Sequence, residues 1–230
     1  MRPVKAMILA AGRGERMRPH TDLRPKPMLP VNGKPLIERH LERLHGAGVE
    51  DVVINLGWLG EVIREHVGDG ADLGLRVQYS VEGWPALESG GGIFHALHLL
   101  GAAPFVVVNG DVWTDYPLGR LVQRAATLAD DALAHLVLVR NPPHNPKGDF
   151  VLENGRVGNA EAGRHTFSGL SVHRPELFEG CSPGHFPLLP LWRRAAERGA
   201  LGGEVYDGAW SDVGTPERLD QLEQRLRAGA

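Results

Sequence analysis

Residues 9–30, LAAGRGERMRPHTDLRPKPMLP, set Gly12 and Gly14 at the end of an apolar run and then place five cations: Arg13, Arg16, Arg18, Arg24 and Lys26. Glycine lets backbone come close to a ligand or take φ > 0. Exposed amides beside a fixed set of cations suit phosphate. Pro19, Pro25, Pro27 and Pro30 keep helix interiors out, so the stretch is expected to be a stiff, extended loop. The dinucleotide fingerprint fails, because its third glycine position is Met17, and the P-loop pattern G-x-x-x-x-G-K-[ST] is absent. A solvated basic loop is the bland alternative, but a long loop in a compact domain is usually functional.

Three other stretches carry chemistry. Asn109-Gly110-Asp111 closes the apolar run FVVV. A carboxylate there could hold Mg²⁺, which takes one or two carboxylates, phosphates and waters; by residue type alone a turn role is as good. Residues 87–92, LESGGG, precede a helix, where glycines admit a flat base and the helix start offers free amides; an ordinary glycine turn is the alternative. Asp212, in WSDVGTPE, reads by type as a turn residue. His95 and His98 could mimic a metal pair, but with no third ligand near in sequence they read as a helix face. The five tryptophans read as packing, with Trp84 and Trp113 the two at which base stacking remains open.

These residues need elements to hold them. Strands are expected at 4–10, 51–56, 75–80 and 104–109, and helices at 34–48, 59–67 and 91–100. This alternation predicts an α/β fold, a Rossmann-like doubly wound, mostly parallel sheet. Ligands then bind outside the carboxyl ends of the strands. That rim collects residues 12–26, 82–92 and 109–115. The second half predicts helices at 118–128 and 186–198, strands at 135–140 and 209–213, and a loop at 141–149. Short strands at 150–152, 156–157 and 166–172 predict a small mixed β region laid over the first. Thr215 caps a last helix, with Pro216 at its first position and Glu217 at its positive end. No linker interrupts the chain, so residues 1–230 are expected to form one domain, with a nucleotide half (1–116) and an acceptor half (117–230).

Composition narrows the class. The 230 residues are 42% hydrophobic with net charge −3, enough for a sizeable core and without a bias toward nucleic acid or anionic membrane. One cysteine, Cys181, excludes an internal disulfide and a Cys-based zinc site, and fits a cytoplasmic location. The N-terminus shows no signal-peptide core, no run reaches membrane-spanning length, and no hexapeptide array is present. No protein partner is indicated.

The spaced set Ala10-Ala11-Gly12, Gly14, Arg16, Pro19, Thr21, Pro25 and Lys26, with Asn109-Gly110-Asp111 and Trp210 to Glu217, resembles the signature of the sugar-1-phosphate nucleotidyltransferases. Residues 87–94, 109–115, 166–169 and 177–181 resemble members that are uridylyltransferases for N-acetylmuramate 1-phosphate in cell-wall recycling. The resemblance implies an enzyme that transfers UMP from UTP to a sugar 1-phosphate, its small-molecule partners, with Mg²⁺ as cofactor. It implies nucleotide contacts from Ala11, Gly12, Arg13, Gly14, Glu15, Arg16, Lys26, Glu82, Glu88 and Gly91, with Arg16 and Lys26 catalytic. It implies metal ligation by Asp111 and Asp212, and sugar contacts from Asn109, Gly148, Asp149 and Glu161. Lys147 and Arg164 are candidates for a lactyl carboxylate. Other readings are a glucose-1-phosphate thymidylyltransferase, a mannose-1-phosphate guanylyltransferase, a phosphocholine cytidylyltransferase, or a nucleotide-sugar sensor without catalysis. A sensor can dispense with Arg16, Lys26, Asp111 and Asp212, which are all present.

Overall fold

The computed structural model describes residues 3–228. The strands are β1 (Ala6–Leu9), β2 (Pro30–Val31), β3 (Lys34–Pro35), β4 (Asp51–Leu56), β5 (Arg76–Val81), β6 (Phe105–Asn109), β7 (Val112–Thr114), β8 (Ala134–Val139), β9 (Val151–Glu153), β10 (Arg156–Gly158), β11 (Thr166–His173), β12 (Leu201–Tyr206) and β13 (Trp210–Asp212). The helices are α1 (His20–Leu23), α2 (Leu36–Gly46), α3 (Gly60–Val67), α4 (Glu88–Leu100), α5 (Leu118–Ala126), α6 (Leu189–Glu197) and α7 (Pro216–Ala228).

Nine strands form one sheet in the order β5-β4-β1-β6-β11-β8-β12-β10-β9. The first four are parallel, as is β12 beside β8; β11 runs antiparallel to both its neighbours. Alternation along β1 shows why the sheet is covered twice. Ala6 and Ile8 face a core shared with Ile37, Leu41 and Leu44 of α2, Ile63 of α3 and Leu121 of α5. Met7, one residue between them, faces Ile93 and Ala96 of α4 and Trp192 of α6. Successive side chains leave a strand on opposite faces, so an unbroken apolar strand requires helices on both.

A third cluster joins distant parts of the chain. Met17, Leu29, Val31 and Leu36 pack on Val213 and on Leu222 of α7. The last helix thereby buttresses residues 9–30.

Three expectations are corrected. Residues 9–30 are not extended throughout; single helical turns form at Glu15–Met17, His20–Leu23 and Lys26–Met28. Pro19 precedes the second of these turns, and Pro25 and Pro27 stand at the start of the third, where a missing N–H costs nothing. The short strands of the second half do not lie over the first sheet but belong to it: β9 and β10 continue its edge, and β11 stands in its middle between β6 and β8. Helix α4 starts at Glu88, so its three glycines lie inside the helix rather than before it. Strand β12 escapes a periodicity reading because Gly202 and Gly203 dilute its apolar pattern.

Candidate active site

The four parallel strands end side by side, and a cavity of about 280 Å³ opens just beyond them. Ala10, Ala11, Gly12 and Gly14 line it from the end of β1, Asn55 from β4, Glu82 from beyond β5, and Asn109 and Asp111 from the end of β6. Lys26 and Pro27 close one side, and Ala86, Glu88 and Ser89 the other. Residues far apart in sequence meet here because parallel strands put all their carboxyl ends at one rim.

The loop after β1 is built to hold its shape. Gly14 has φ +67, and the Thr21 hydroxyl donates to its carbonyl at 2.9 Å. Gly12 differs: a Cβ added there meets nothing within 4 Å, so packing does not demand a glycine. A bare backbone beside a cavity leaves room for a close-lying ligand. Arg13 is committed to the loop itself. It donates to the Thr21 carbonyl at 2.6 Å, pairs with Asp22 at 2.8 Å, and lies 3.7 Å from the Trp58 ring centroid. The Arg13 hydrogen bond holds the Asp22 carboxyl below its ordinary range. Glu15 and Arg16 are exposed on the first helical turn, outside the cavity lining.

Lys26 is the cavity's cation. It is 9% exposed, and its Nζ lies 2.5 Å from Asp111 Oδ2. Asp212 is held separately: Arg218 donates to Oδ2 at 2.6 Å, and His144 Nε2 lies 3.1 Å from Oδ1. The two aspartates are nevertheless neighbours in backbone. Strand β13 pairs with β7, opposing Asp212 to Val112, and the Val213 amide donates to the Asp111 carbonyl at 2.8 Å. No group of three or more metal-type side chains occurs among the described residues. The donor set is therefore two hard carboxylates, one in the turn before β7 and one on β13 beside it, each now balanced by a cation. Mg²⁺ fits such a set, because it completes its shell with phosphate oxygens and waters.

Other sequence candidates lie apart from the cavity. The Gly91 amide donates to the Phe186 carbonyl at 3.0 Å, and a Cβ there would stand 2.1 Å from the Gly184 carbonyl oxygen, so this glycine serves packing between α4 and residues 184–186. Gly148 is buried with φ +63. Asp149 spends both oxygens internally, on the Asn145 amide at 3.2 Å and the Phe167 N–H at 2.8 Å. Glu161 lines a separate recess with Asn141, Lys147 and Arg164. Of the pair considered for base stacking, Trp84 is exposed and meets Trp58 edge-on, while Trp113 packs on the α7 cluster.

Residues 5–157 match the family model described as nucleotidyl transferase. The chain belongs to the nucleotidyl transferase family. It is 49% identical to the N-acetylmuramate alpha-1-phosphate uridylyltransferase of Neisseria meningitidis serogroup B, over 96% of this chain and 97% of that protein. It is 36% identical to the protein of that name from Caulobacter vibrioides, over 97% of each. The fold matches a putative glucose-1-phosphate thymidylyltransferase from Bacillus anthracis with TM-score 0.86 at 21% identity, covering 97% of this chain and 95% of that one.

Within this transferase, three polar residues near the site were not singled out from sequence. Arg218 donates to Asp212 and lies 2.7 Å from His144 Nε2, and neither residue carries a motif of its own. Asn55 did carry a signal: it is a lone amide in the apolar run DVVINL, and a buried amide must find partners.

Proposed function

We propose that this nucleotidyl transferase moves UMP from UTP to a sugar 1-phosphate, N-acetylmuramic acid 1-phosphate above others, and releases pyrophosphate. The observation that carries the reaction is the Lys26–Asp111 pair in the cavity beside the open backbone of Gly12. The likeness to the Neisseria and Caulobacter proteins carries the choice of substrates.

An oxygen of the sugar phosphate attacks the α-phosphorus in line. One P–O bond forms as the α–β bridging P–O bond breaks, and pyrophosphate departs with the electron pair. No side-chain nucleophile is needed; position and charge supply the rate. The Gly12 to Gly14 backbone would lie along the triphosphate. Lys26 would bridge the α-phosphate and the incoming sugar phosphate, and Arg16, at the exposed loop edge, would meet the leaving pyrophosphate. Asp111 and Asp212 would hold Mg²⁺, which neutralises the α-phosphate. Asn109 would face the acceptor. Lys147 is the stronger candidate for the lactyl carboxylate, because Arg164 spends its guanidinium on the Ala160 and Asn159 carbonyls. In this reading residues 1–116 mainly bind nucleotide, residues 117–230 mainly bind acceptor and supply Asp212 as the second metal ligand, and the enzyme works in the cytoplasm. Among the described residues no helix is long and apolar enough to cross a membrane.

Pyrophosphate release over four nucleoside triphosphates and several sugar 1-phosphates tests the substrates. UTP with N-acetylmuramic acid 1-phosphate should give the highest kcat/KM. Equal turnover of GTP would overturn the base, and equal turnover of glucose 1-phosphate the sugar. Mn²⁺ titration monitored by electron paramagnetic resonance, with UTP present, reads the metal without turnover; Asp111→Asn should weaken binding.

A further inference from the structure

Asn55 is 3% exposed at the end of β4, yet it lines the cavity. Its Oδ1 accepts the Ala10 amide at 2.7 Å, and its Nδ2 donates to Glu82 Oε1 at 2.6 Å. Glu82 Oε2 in turn accepts the Leu87 amide at 2.8 Å. Only one orientation of the Asn55 amide gives Ala10 an acceptor and Glu82 a donor. Gly92 of α4 completes the arrangement: a Cβ there would stand 2.4 Å from Glu82 Oε1 and 3.0 Å from Asn55 Nδ2. One buried amide thus ties the start of the phosphate-type loop to the carboxylate on the opposite wall.

We propose that Asn55 is a positioning residue for the nucleotide, setting the Glu82 carboxylate and the loop after β1 in register with each other. The proposal rests on reading this cavity as the UTP site. A network of this kind holds its geometry only while every member is satisfied; removing one leaves buried groups unpaired and lets both walls relax. The sugar 1-phosphate, approaching from the Asp111 side, does not depend on this link.

The test is a swap of donor and acceptor, read on Tm, UTP KM and acceptor KM. Asn55→Ala should raise the UTP KM about tenfold and leave the acceptor KM within about twofold. Asn55→Asp sets carboxylate against carboxylate, and Glu82→Gln sets amide against amide; both should be worse still for UTP. The double variant N55D/E82Q restores every bond. The carboxylate at 55 accepts from the Ala10 N–H and from the amide at 82, whose oxygen accepts from Leu87. It should bring UTP KM well below that of either single variant, an effect a bare loss of packing would not give. If Asn55→Asp alone yields no folded enzyme, the double variant must restore folding. A double variant no better than the worse single one, or an Asn55→Ala enzyme with unchanged UTP KM, overturns the proposal. A parent enzyme that neither binds nor turns over UTP removes the site reading first, and this inference with it.

Discussion

Residues 9–30 and residues 141–166 both carry polar side chains at a rim of the same sheet, yet they spend them differently. In the first, the loop uses Arg13, Thr21 and Asp22 to hold itself and leaves Lys26 facing the cavity, where it meets Asp111 from the end of β6. In the second, most polar groups are consumed internally, with Lys147 and Glu161 left lining a recess. Asn141 donates to the Arg164 carbonyl, Thr166 donates to Asn141, and Asn145 and the Phe167 amide both donate to Asp149. A side chain with all its lone pairs engaged has little left for a ligand. The number of polar residues in a rim therefore says less than how many remain after the rim has built itself.

The comparison can be broken most sharply in the first region. Lys26→Met removes the cavity's cation and leaves the Asp111 charge unbalanced; kcat should fall by about a hundred- to a thousandfold, as for other charge-stabilising groups. Steady-state pyrophosphate release measures it, and near-normal kcat would detach the cavity from the chemistry. In the second region Asp149→Ala should act through folding instead. It strands the Phe167 amide and an Asn145 donor, so thermal unfolding should report a loss of about 1–3 kcal/mol, with the acceptor KM unchanged. A raised acceptor KM at unchanged Tm would make Asp149 a sugar contact after all.

A smaller effect concerns two buried histidines outside both regions, His40 on α2 and His173 on β11. Burial depresses His173 to about 3 and His40 to about 4, so both are neutral when folded. The unfolded chain binds protons near pH 6.5 and the folded chain does not, so this stability is full above about pH 6.5 and is lost as pH falls toward 4. Tm should decline across that window, and His40→Leu should flatten part of the decline; an unchanged slope would count against His40 as a source. Smallest of all, Glu161→Ala, in an exposed recess, should leave the unfolding free energy within about 0.5 kcal/mol of the parent's, as read by denaturant titration.

Much of the first region was legible in the sequence. Strand β4 falls at its expected limits because DVVINL is an unmistakable buried strand, and the rim follows from the alternation of strands and helices. Gly12, Lys26, Glu82 and Asp111 meet in the cavity as that rule requires. The second region was less legible because its polar residues pair across distances the sequence does not display, as Asp149 does with Phe167. Gly91 shows a related ambiguity: a glycine required by a neighbouring segment looks, in sequence, like one required by a ligand.

The central proposal is that Asp111, in the turn before β7, and Asp212, on the strand paired with β7, serve one metal. Single-turnover rates of Asp111→Asn, Asp212→Asn and the double variant test it most directly. Groups that act as a unit are not additive. The account predicts that each single change lowers the rate severely and that the double variant is about as slow as the slower single one. Losses that multiply, or an Asp111→Asn enzyme close to the parent rate, would contradict it.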